Sequence, residues 1–178
     1  MSTPHVITTG LHIADILGRP VTGIPEGQGL ALLDEIRMTI AGTCAATAMD
    51  LARLGIDVST FGVVGDDSIG LWLTRALTDE GVNTEGLRVD DSVPTSATML
   101  PIRPNGERPA LHVIGANAKI VPADIKWDDA AGASHFHLGG SLLLEGIDGV
   151  GTAQLLKEAK DRGMTTSMDI IGVPGKDY

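Results

Sequence analysis

The segment Ile40–Gly81 combines glycines, hydroxyl side chains and carboxylates at a spacing that suits ligand binding. Gly42-Thr43 opens a helix of small residues, a β-branched strand follows it, and Gly65-Asp66-Asp67 leads into a second helix. This order brings backbone N–H donors and helix N-termini to one edge of a sheet. Small polar or anionic ligands bind at such edges.

Other polar residues outside this segment are further candidates for a site. Asp15 comes just after the first predicted strand, where it either binds a ligand or serves as an ordinary turn residue. Asn117 follows a Gly-Ala turn and is explained equally well as a helix N-cap. Asp66 and Asp67 precede a helix, and aspartates in that position are more often N-caps than catalytic groups. We therefore interpret these two as structural.

Two histidines and the single cysteine raise the question of a metal or redox site. His135 and His137 alternate along a predicted strand, so both face the same side. A zinc site needs further ligands, and none is evident in the sequence, so a polar sheet face is the favoured interpretation. Cys44 lies near a helix N-terminus, which can lower a thiol pKa, but a small packing residue is the more usual role there. We predict no metal site.

The chain alternates between strand and helix patterns. The predicted strands are Val6–Thr9, Leu30–Met38, Val58–Val64, Gly86–Val89, Ala133–Leu138 and Met164–Asp169, and the predicted helical segments are Thr43–Leu54, Ile69–Glu80, Pro122–Asp124 and Gly149–Arg162. Asn105-Gly106 lies between two extended runs, Ser96–Ile102 and Arg108–Val113, and predicts a β-hairpin. The fold class is therefore α/β: a Rossmann-like, mostly parallel sheet flanked by helices, with a small antiparallel sheet.

Composition narrows the class of protein further. A length of 178 residues suits one domain, and 43% hydrophobic content with only 3% aromatics predicts an aliphatic core. The net charge of −10 and the lack of a basic run argue against nucleic-acid binding. No apolar run approaches the roughly 20 residues of a membrane span, and Met1–Gly10 makes a poor signal peptide. We expect a cytoplasmic protein that binds no membrane.

Several short motifs follow one another in a recognisable order. The main ones are a Gly-containing turn and small-residue helix at Ala41–Ala48, Leu-Gly within Ala52–Gly55, and the glycine and aspartate pattern of Gly62–Gly70. Supporting stretches are Gly10–Asp15, Gly81–Thr84, Thr95–Ala97, Asn105–Arg108 and Gly115–Asn117. Each is weak alone, but their order and spacing resemble the ribokinase-like (PfkB) carbohydrate kinases along essentially the whole chain.

The resemblance implies a sugar or nucleoside bound between the carboxyl edge of the parallel sheet and a β-lid made from about residues 16–40 and 86–113. Asp15 matches the aspartate that accepts hydrogen bonds from substrate hydroxyls. Gly42 matches the second glycine of the substrate turn, where a missing Cβ lets backbone approach a ligand, and Thr43 follows it. Asn117 lies in a segment that borders the substrate, and Asp169 is expected near the nucleotide. ATP and Mg²⁺ are the implied cofactors, and a homodimer through the lid is the implied assembly.

A second signature of the family, Gly-Ala-Gly-Asp, is absent from these 178 residues. Its aspartate is the general base, and its glycine-rich helix N-terminus stabilises the transferring phosphoryl group. We therefore expect residues 1–178 to be the N-terminal part of one ribokinase-like domain, truncated before the catalytic base and inactive alone.

Two alternatives stay open. A non-catalytic sugar-binding or interaction protein is favoured by Ala46, which stands where the family has a hydroxyl-binding asparagine. An unrelated Rossmann-like nucleotide-binding domain is disfavoured by the inserted hairpin and by the absence of Gly-x-Gly-x-x-Gly.

Overall fold

Residues 5–172, which the computed structural model describes, contain nine strands and three α-helices. The strands are β1 (His5–Gly10), β2 (Ile13–Arg19), β3 (Glu35–Ala41), β4 (Asp57–Gly65), β5 (Asn83–Asp90), β6 (Ala97–Pro101), β7 (Leu111–Val113), β8 (His135–Ser141) and β9 (Thr165–Ile170). The helices are α1 (Thr43–Arg53), α2 (Ser68–Asp79) and α3 (Val150–Asp161). Two short 3-10 turns lie at Gly115–Lys119 and Pro122–Asp124.

Five of these strands form one parallel sheet in the order β5-β4-β1-β8-β9. In its centre, Ile7 of β1 lies opposite Ser59 of β4 on one side and Phe136 of β8 on the other. The central strands are almost entirely buried, as in parallel sheets that carry helices on both faces. Because all five strands run in the same direction, their carboxyl ends meet at one edge, which we call the carboxyl edge.

Alternating residues along the strands of this sheet pack into two hydrophobic cores, one on each face. On one face, Phe136 and Leu138 pack with Leu155 and other apolar residues of α3. On the opposite face, Val58 and Val64 of β4 pack with the apolar faces of α1 and α2. The period of two along each strand thus divides the molecule into helix, sheet and helix layers.

The second sheet has four strands in the order β3-β2-β6-β7, and we call it the lid. Its pairs β2–β3 and β6–β7 are antiparallel, whereas β2 and β6 run parallel. The chain enters the lid directly from β1 and returns to the large sheet through α1, which follows β3 after a single residue. The lid therefore stands over the carboxyl edge, where β1 ends.

Asp67, one of the predicted N-cap candidates, is the N-cap of helix α2. Asp67 Oδ1 accepts a hydrogen bond from the Gly70 N–H at 2.8 Å, and its other oxygen accepts one from the Thr95 N–H at 2.8 Å. Partial burial acts to raise the pKa of Asp67, but these hydrogen bonds outweigh that effect and the pKa is lowered. The carboxylate therefore joins the helix start to the segment that enters β6.

Three features of the predicted fold are corrected. Gly86–Val89 lies in β5 of the large sheet rather than in the lid, because a strand that follows a crossover helix returns beside the preceding strand. The predicted strand Leu30–Met38 begins only at Glu35, where pairing with Arg19 of β2 starts. The small sheet is mixed rather than antiparallel, because β2 pairs with β6.

The predicted fold class is otherwise confirmed, as are the hairpin turn at Asn105-Gly106 and the helix that precedes Gly163. Across residues 5–172, none of the helices combines the length and the apolar character needed to cross a bilayer.

Candidate functional site

Gly42 lies where the lid returns to the large sheet and α1 begins. Its φ of +85° is in the region that favours glycine, and a Cβ at this position would lie 2.4 Å from the Leu11 carbonyl oxygen. The same carbonyl accepts a hydrogen bond from the Ala45 N–H in the first turn of the helix at 3.1 Å. Gly42 is thus required for packing α1 against the crossover from β1 to β2, whether or not a ligand also approaches it.

Thr43 is the first residue of α1. Its hydroxyl oxygen is buried and has no hydrogen-bond partner among the described residues. A buried hydroxyl without a partner is costly unless something else satisfies it, so Thr43 is a candidate for contact with a ligand at the helix start.

Asn117 is buried and bonds to the protein backbone. Its Oδ1 accepts a hydrogen bond from the His12 N–H at 3.0 Å, and its Nδ2 donates one to the His12 carbonyl at 3.0 Å. Only 1% of Asn117 is exposed. The structure therefore gives this residue a positioning role at the crossover from β1 to β2, three residues before Asp15.

The side chain of His12 is held as firmly as its backbone. Its Nδ1–H donates to the Gly10 carbonyl at 2.9 Å, and its Nε2 accepts a hydrogen bond from the Thr60 hydroxyl at 2.8 Å, which in turn accepts one from Thr8. Burial lowers the pKa of His12 to about 4, although the bond to Gly10 opposes this effect. The imidazole is therefore neutral at pH 7 and fixes the crossover.

Cys44 lies beside this histidine and is inert. Burial raises the pKa of its thiol to about 12, with hydrogen bonds to Thr8 and Thr60 acting in the opposite direction. The expectation that Cys44 is a packing residue agrees with its complete burial.

Asp15 lies in the middle of the lid within a row of polar residues. In the strand register it is directly opposite Thr39 of β3 and Thr98 of β6, and Thr98 is opposite His112 of β7. Directly paired residues point to the same face, so all four side chains share one side of the lid. We call Thr39, Asp15, Thr98 and His112 the lid row.

The lid row looks toward the carboxyl edge of the large sheet. Ile13 and Ala41 lie on the same face, two residues from Asp15 and Thr39, and both pack into the core that includes Leu138 near the end of β8. The opposite face of β3 carries Ile40, which packs into the other core. The face with Asp15 therefore continues over the carboxyl edge.

Asp169 lies at the carboxyl end of β9 and bonds to the neighbouring strand. Its Oδ1 accepts a hydrogen bond from the Gly140 N–H at 2.8 Å, and its Oδ2 lies 3.4 Å from His137 Nε2. Burial lowers the pKa of His137, and the charge of Asp169 acts against this. Gly139, the residue before Gly140, lies against the backbone of Cys44, since a Cβ on it would be 2.5 Å from the Cys44 nitrogen, and Asp169 is therefore near the first turn of α1.

His135 and His137 form a polar sheet face, as the sequence predicts. Ser167 Oγ lies 2.8 Å from His135 Nε2 and 2.9 Å from His137 Nδ1, and Thr165 contacts His135 Nδ1 at 2.7 Å. Within residues 5–172, no group of three or more His, Cys, Asp or Glu side chains is arranged to hold a metal ion.

The structure thus forms two groups of candidate residues around the carboxyl edge. Gly42, Thr43 and Asp169 lie near the start of α1, whereas Asp15 faces the edge from the lid. The sequence-based reasoning missed Thr39, Thr98 and His112, because only the strand register brings them beside Asp15.

Comparison with known proteins assigns the chain to a family. The model for the pfkB family carbohydrate kinases matches residues 5–172, which is nearly the whole sequence. The chain belongs to the pfkB carbohydrate kinase family. The lid over a mostly parallel sheet is therefore the architecture of a pfkB kinase, as the resemblance in the sequence implies.

Curated proteins similar to this chain include kinases that are named for sugars and sugar phosphates. The chain is 31% identical over 149 residues to the ATP-dependent ribose-1-phosphate kinase of Halopiger xanaduensis, covering 84% of this chain and 48% of that protein. It is 27% identical over 171 residues to the probable chloroplastic fructokinase-6 of Arabidopsis thaliana, covering 94% of this chain and 43% of that protein. The chain thus spans about half the length of these curated relatives.

Solved structures confirm the fold. The structure of Arabidopsis thaliana ribokinase complexed with ribose and ATP matches with a TM-score of 0.78 at 23% identity, covering 97% of this chain and 55% of that one. A putative ribokinase II from E. coli in complex with ATP and Mg²⁺ matches with a TM-score of 0.76 at 19% identity, covering 93% of this chain and 52% of that one. The architecture is ribokinase-like.

Proposed function

We propose that this chain is the acceptor-binding part of a sugar kinase that transfers the γ-phosphoryl group of ATP to a hydroxyl of a sugar or related compound. The observation that carries the proposal is the position of Asp15, half-buried on the lid face that looks toward the carboxyl edge. A carboxylate in this position accepts hydrogen bonds from sugar hydroxyls. Family membership and the named sugar kinases among its relatives support the same reaction class.

The other candidate residues take supporting roles in this proposal. Gly42 and Thr43 place the first turn of α1 against the acceptor, with the unpartnered Thr43 hydroxyl available to it. Asn117 acts through His12 and holds the backbone that leads to Asp15. Asp169 faces the nucleotide side of the edge.

The described residues do not by themselves make a site for ATP and Mg²⁺. Asp169 is hydrogen-bonded to Gly140, and it has no partner carboxylates grouped with it in residues 5–172. We therefore assign no catalytic residue and no phosphoryl-transfer step to this chain. In the proposal, residues 1–178 are the N-terminal part of one ribokinase-like domain, and the general base lies in sequence outside them.

A second candidate function is sugar binding without catalysis. It is favoured by Ala46, whose methyl side chain cannot hydrogen-bond a hydroxyl. Both candidates require Asp15, and they differ in whether ATP is consumed.

The test combines sugar binding with ATP hydrolysis and transfer. The unchanged chain is titrated calorimetrically with D-ribose and D-fructose, and ATP consumption is followed with each sugar. We expect binding without turnover, and we expect Asp15→Asn to weaken binding by about 10- to 100-fold, because it replaces charge-assisted hydrogen bonds. Asp57→Asn, at the amino end of β4, is the matched control.

The outcomes separate the candidates. Equal affinities of the unchanged chain and Asp15→Asn would remove Asp15 from the site. Turnover that co-purifies with the chain through successive columns and is lost in Asp15→Asn would show that the chain is a complete kinase. Absence of any sugar binding would refute both candidate functions.

A homodimer through the lid and a cytoplasmic location belong to the same proposal. The lid face opposite Asp15 exposes apolar side chains, including Ile36 (73% exposed), Met99 (54%) and Leu111 (56%), as a surface that forms contacts between copies would. Light scattering coupled to size-exclusion chromatography measures the mass directly. A monomer at all concentrations would refute the dimer.

A further inference from the structure

The lid row contains a residue that the sequence motifs do not single out. His112 lies in β7, two strands away from Asp15, with Thr98 between them. Its Nδ1 is 3.1 Å from the Thr98 hydroxyl oxygen, and the charge of Asp15 reaches the ring strongly enough to influence its pKa. Asp15, Thr98 and His112 therefore form one connected group on the face that looks toward the carboxyl edge.

The protonation state of His112 defines what it can bind. Partial burial lowers the pKa of His112, an effect that exceeds the opposing influences of Asp15 and the Ala97 carbonyl. The ring is therefore neutral at pH 7, with one N–H and one lone pair. Because Nδ1 is bonded to Thr98, the ring offers its Nε2 to a ligand, as a donor or an acceptor according to the tautomer. A hydroxyl can fill either role, whereas a phosphate brings negative charge beside the carboxylate of Asp15.

Other charges on this face do not favour an anionic ligand. Arg37 lies on the same side of the lid as Asp15, two residues beyond Thr39, but its guanidinium is 2.6 Å from Glu35 Oε1. Arg19, opposite Glu35 on the same face, pairs with the same carboxylate, so the two guanidinium charges are balanced by Glu35 and Asp15. The lid row presents no net positive surface to a phosphate group.

The lid also lacks a group for stacking on a nucleobase. The sequence has no Phe, Tyr or Trp before Phe61 and none between Trp72 and Trp127, so no lid strand carries one of these large aromatic side chains. Proteins that bind bases usually stack them on aromatic rings. The polar side chains of the row and this lack of aromatics both point to a ligand surface covered with hydroxyls.

We propose that His112 is a specificity-determining residue of the acceptor site and that, together with Asp15 and Thr98, it selects the polyhydroxylated face of a free sugar over a nucleobase or a phosphate. The inference rests on the proposed function, since it assigns the acceptor to the space between the lid and the carboxyl edge. It goes further because it names His112 as the recognising residue and a polyhydroxylated sugar as the class of ligand that His112 recognises.

The test compares three ligands on variants of the chain. D-ribose, D-fructose and adenosine are titrated calorimetrically against the unchanged chain, His112→Leu, His112→Gln and Thr98→Val. We expect D-ribose or D-fructose to bind more tightly than adenosine. His112→Leu should weaken sugar binding by about five- to tenfold, the effect of one lost hydrogen bond, and His112→Gln, which keeps a polar group, should weaken it less.

Matched controls separate contact from structure. His135→Gln makes the same substitution at the amino end of β8, away from the carboxyl edge, and it should leave sugar affinity unchanged. The imidazole signals of His112, assigned among the five histidines by their loss in His112→Gln, should shift when D-ribose is added. Thr98→Val keeps the side-chain shape and provides a second measure if His112→Leu does not fold.

The outcomes are distinct from those of the proposed function. If a sugar binds and its affinity is the same in His112→Leu and Thr98→Val, or if adenosine binds more tightly than either sugar, the inference is wrong and the proposed function stands. If none of the three ligands binds to the unchanged chain, the proposed function fails and the inference fails with it.

Discussion

Replacing Asn117 with alanine should destabilise the chain strongly, although this residue lies in a short 3-10 turn outside the α-helices and the strands. The substitution removes two hydrogen bonds and leaves the N–H and the carbonyl of His12 without partners in the interior. Each unsatisfied buried group costs about 1–3 kcal/mol, so the expected loss of unfolding free energy for the two groups is about 2–6 kcal/mol. For a chain of this length, each kcal/mol lowers Tm by about 2–4 °C, so the expected decrease in Tm is about 4–24 °C.

The measurement is urea unfolding followed by circular dichroism, with Tm from a thermal scan. Asn83→Ala is the matched control, because the side chain of Asn83 also accepts a backbone hydrogen bond but at an exposed position, and its loss should cost less than about 0.5 kcal/mol. If Asn117→Ala and Asn83→Ala unfold at the same urea concentration, the hydrogen bonds between Asn117 and His12 do not hold the crossover, and the positioning role assigned to Asn117 is refuted.

Three more predictions follow from the same geometry. Gly42→Ala should lower the free energy of unfolding by at least about 2 kcal/mol, because it combines an unfavourable φ with a Cβ 2.4 Å from the Leu11 carbonyl oxygen. The control Gly55→Ala has a φ of +83° but open space around it, so it should lower the free energy of unfolding by only about 1 kcal/mol. Equal urea midpoints for the two variants would contradict this prediction. The unfolded state protonates His12 below its ordinary pKa of 6.5, whereas folded His12 stays neutral down to about 4, so stability should fall as pH drops through this window. His12 contributes up to about 1.4 kcal/mol per pH unit, and His12→Gln should reduce the slope by that amount, while the lowered pKa values of His112 and His137 maintain the rest. Because the pKa of Asp67 is lowered in the folded state, its carboxylate stabilises the fold above about pH 4 and this stabilisation is lost in more acidic solution. The difference in unfolding free energy between the unchanged chain and Asp67→Asn should therefore become smaller as the pH falls below about 4. A difference that does not change with pH would refute the role of Asp67 as a charged N-cap.

The local features of this fold are predictable from sequence because each has a local cause. Asp67 accepts a hydrogen bond from the N–H three residues later, and Asn105-Gly106 forms its turn within a few residues. The crossover order of strand, helix and strand likewise predicts a parallel sheet. The sequence alone therefore leads to the fold class and to Asp15 as a candidate.

The remaining parts of the site depend on contacts between distant residues. The bond between His12 and Asn117 spans 105 positions, and the parallel register of β2 and β6 puts Thr98 beside Asp15 across more than 80 residues. No periodicity in the chain specifies either pairing. The three corrections to the predicted fold have the same origin, since each concerns which strand lies beside which.

The central position of β1 has a consequence for the order in which the chain folds during synthesis. β1 is made first, yet one of its two neighbours, β8, begins only at His135. The lid and the pairs β1–β4 and β4–β5 can form once Val113 has left the ribosome, while one side of β1 stays open. Because closing such long loops slows folding, we expect β1–β8 pairing to be a late step, and nascent chains that end before β8 should be caught by chaperones through the exposed side of β1.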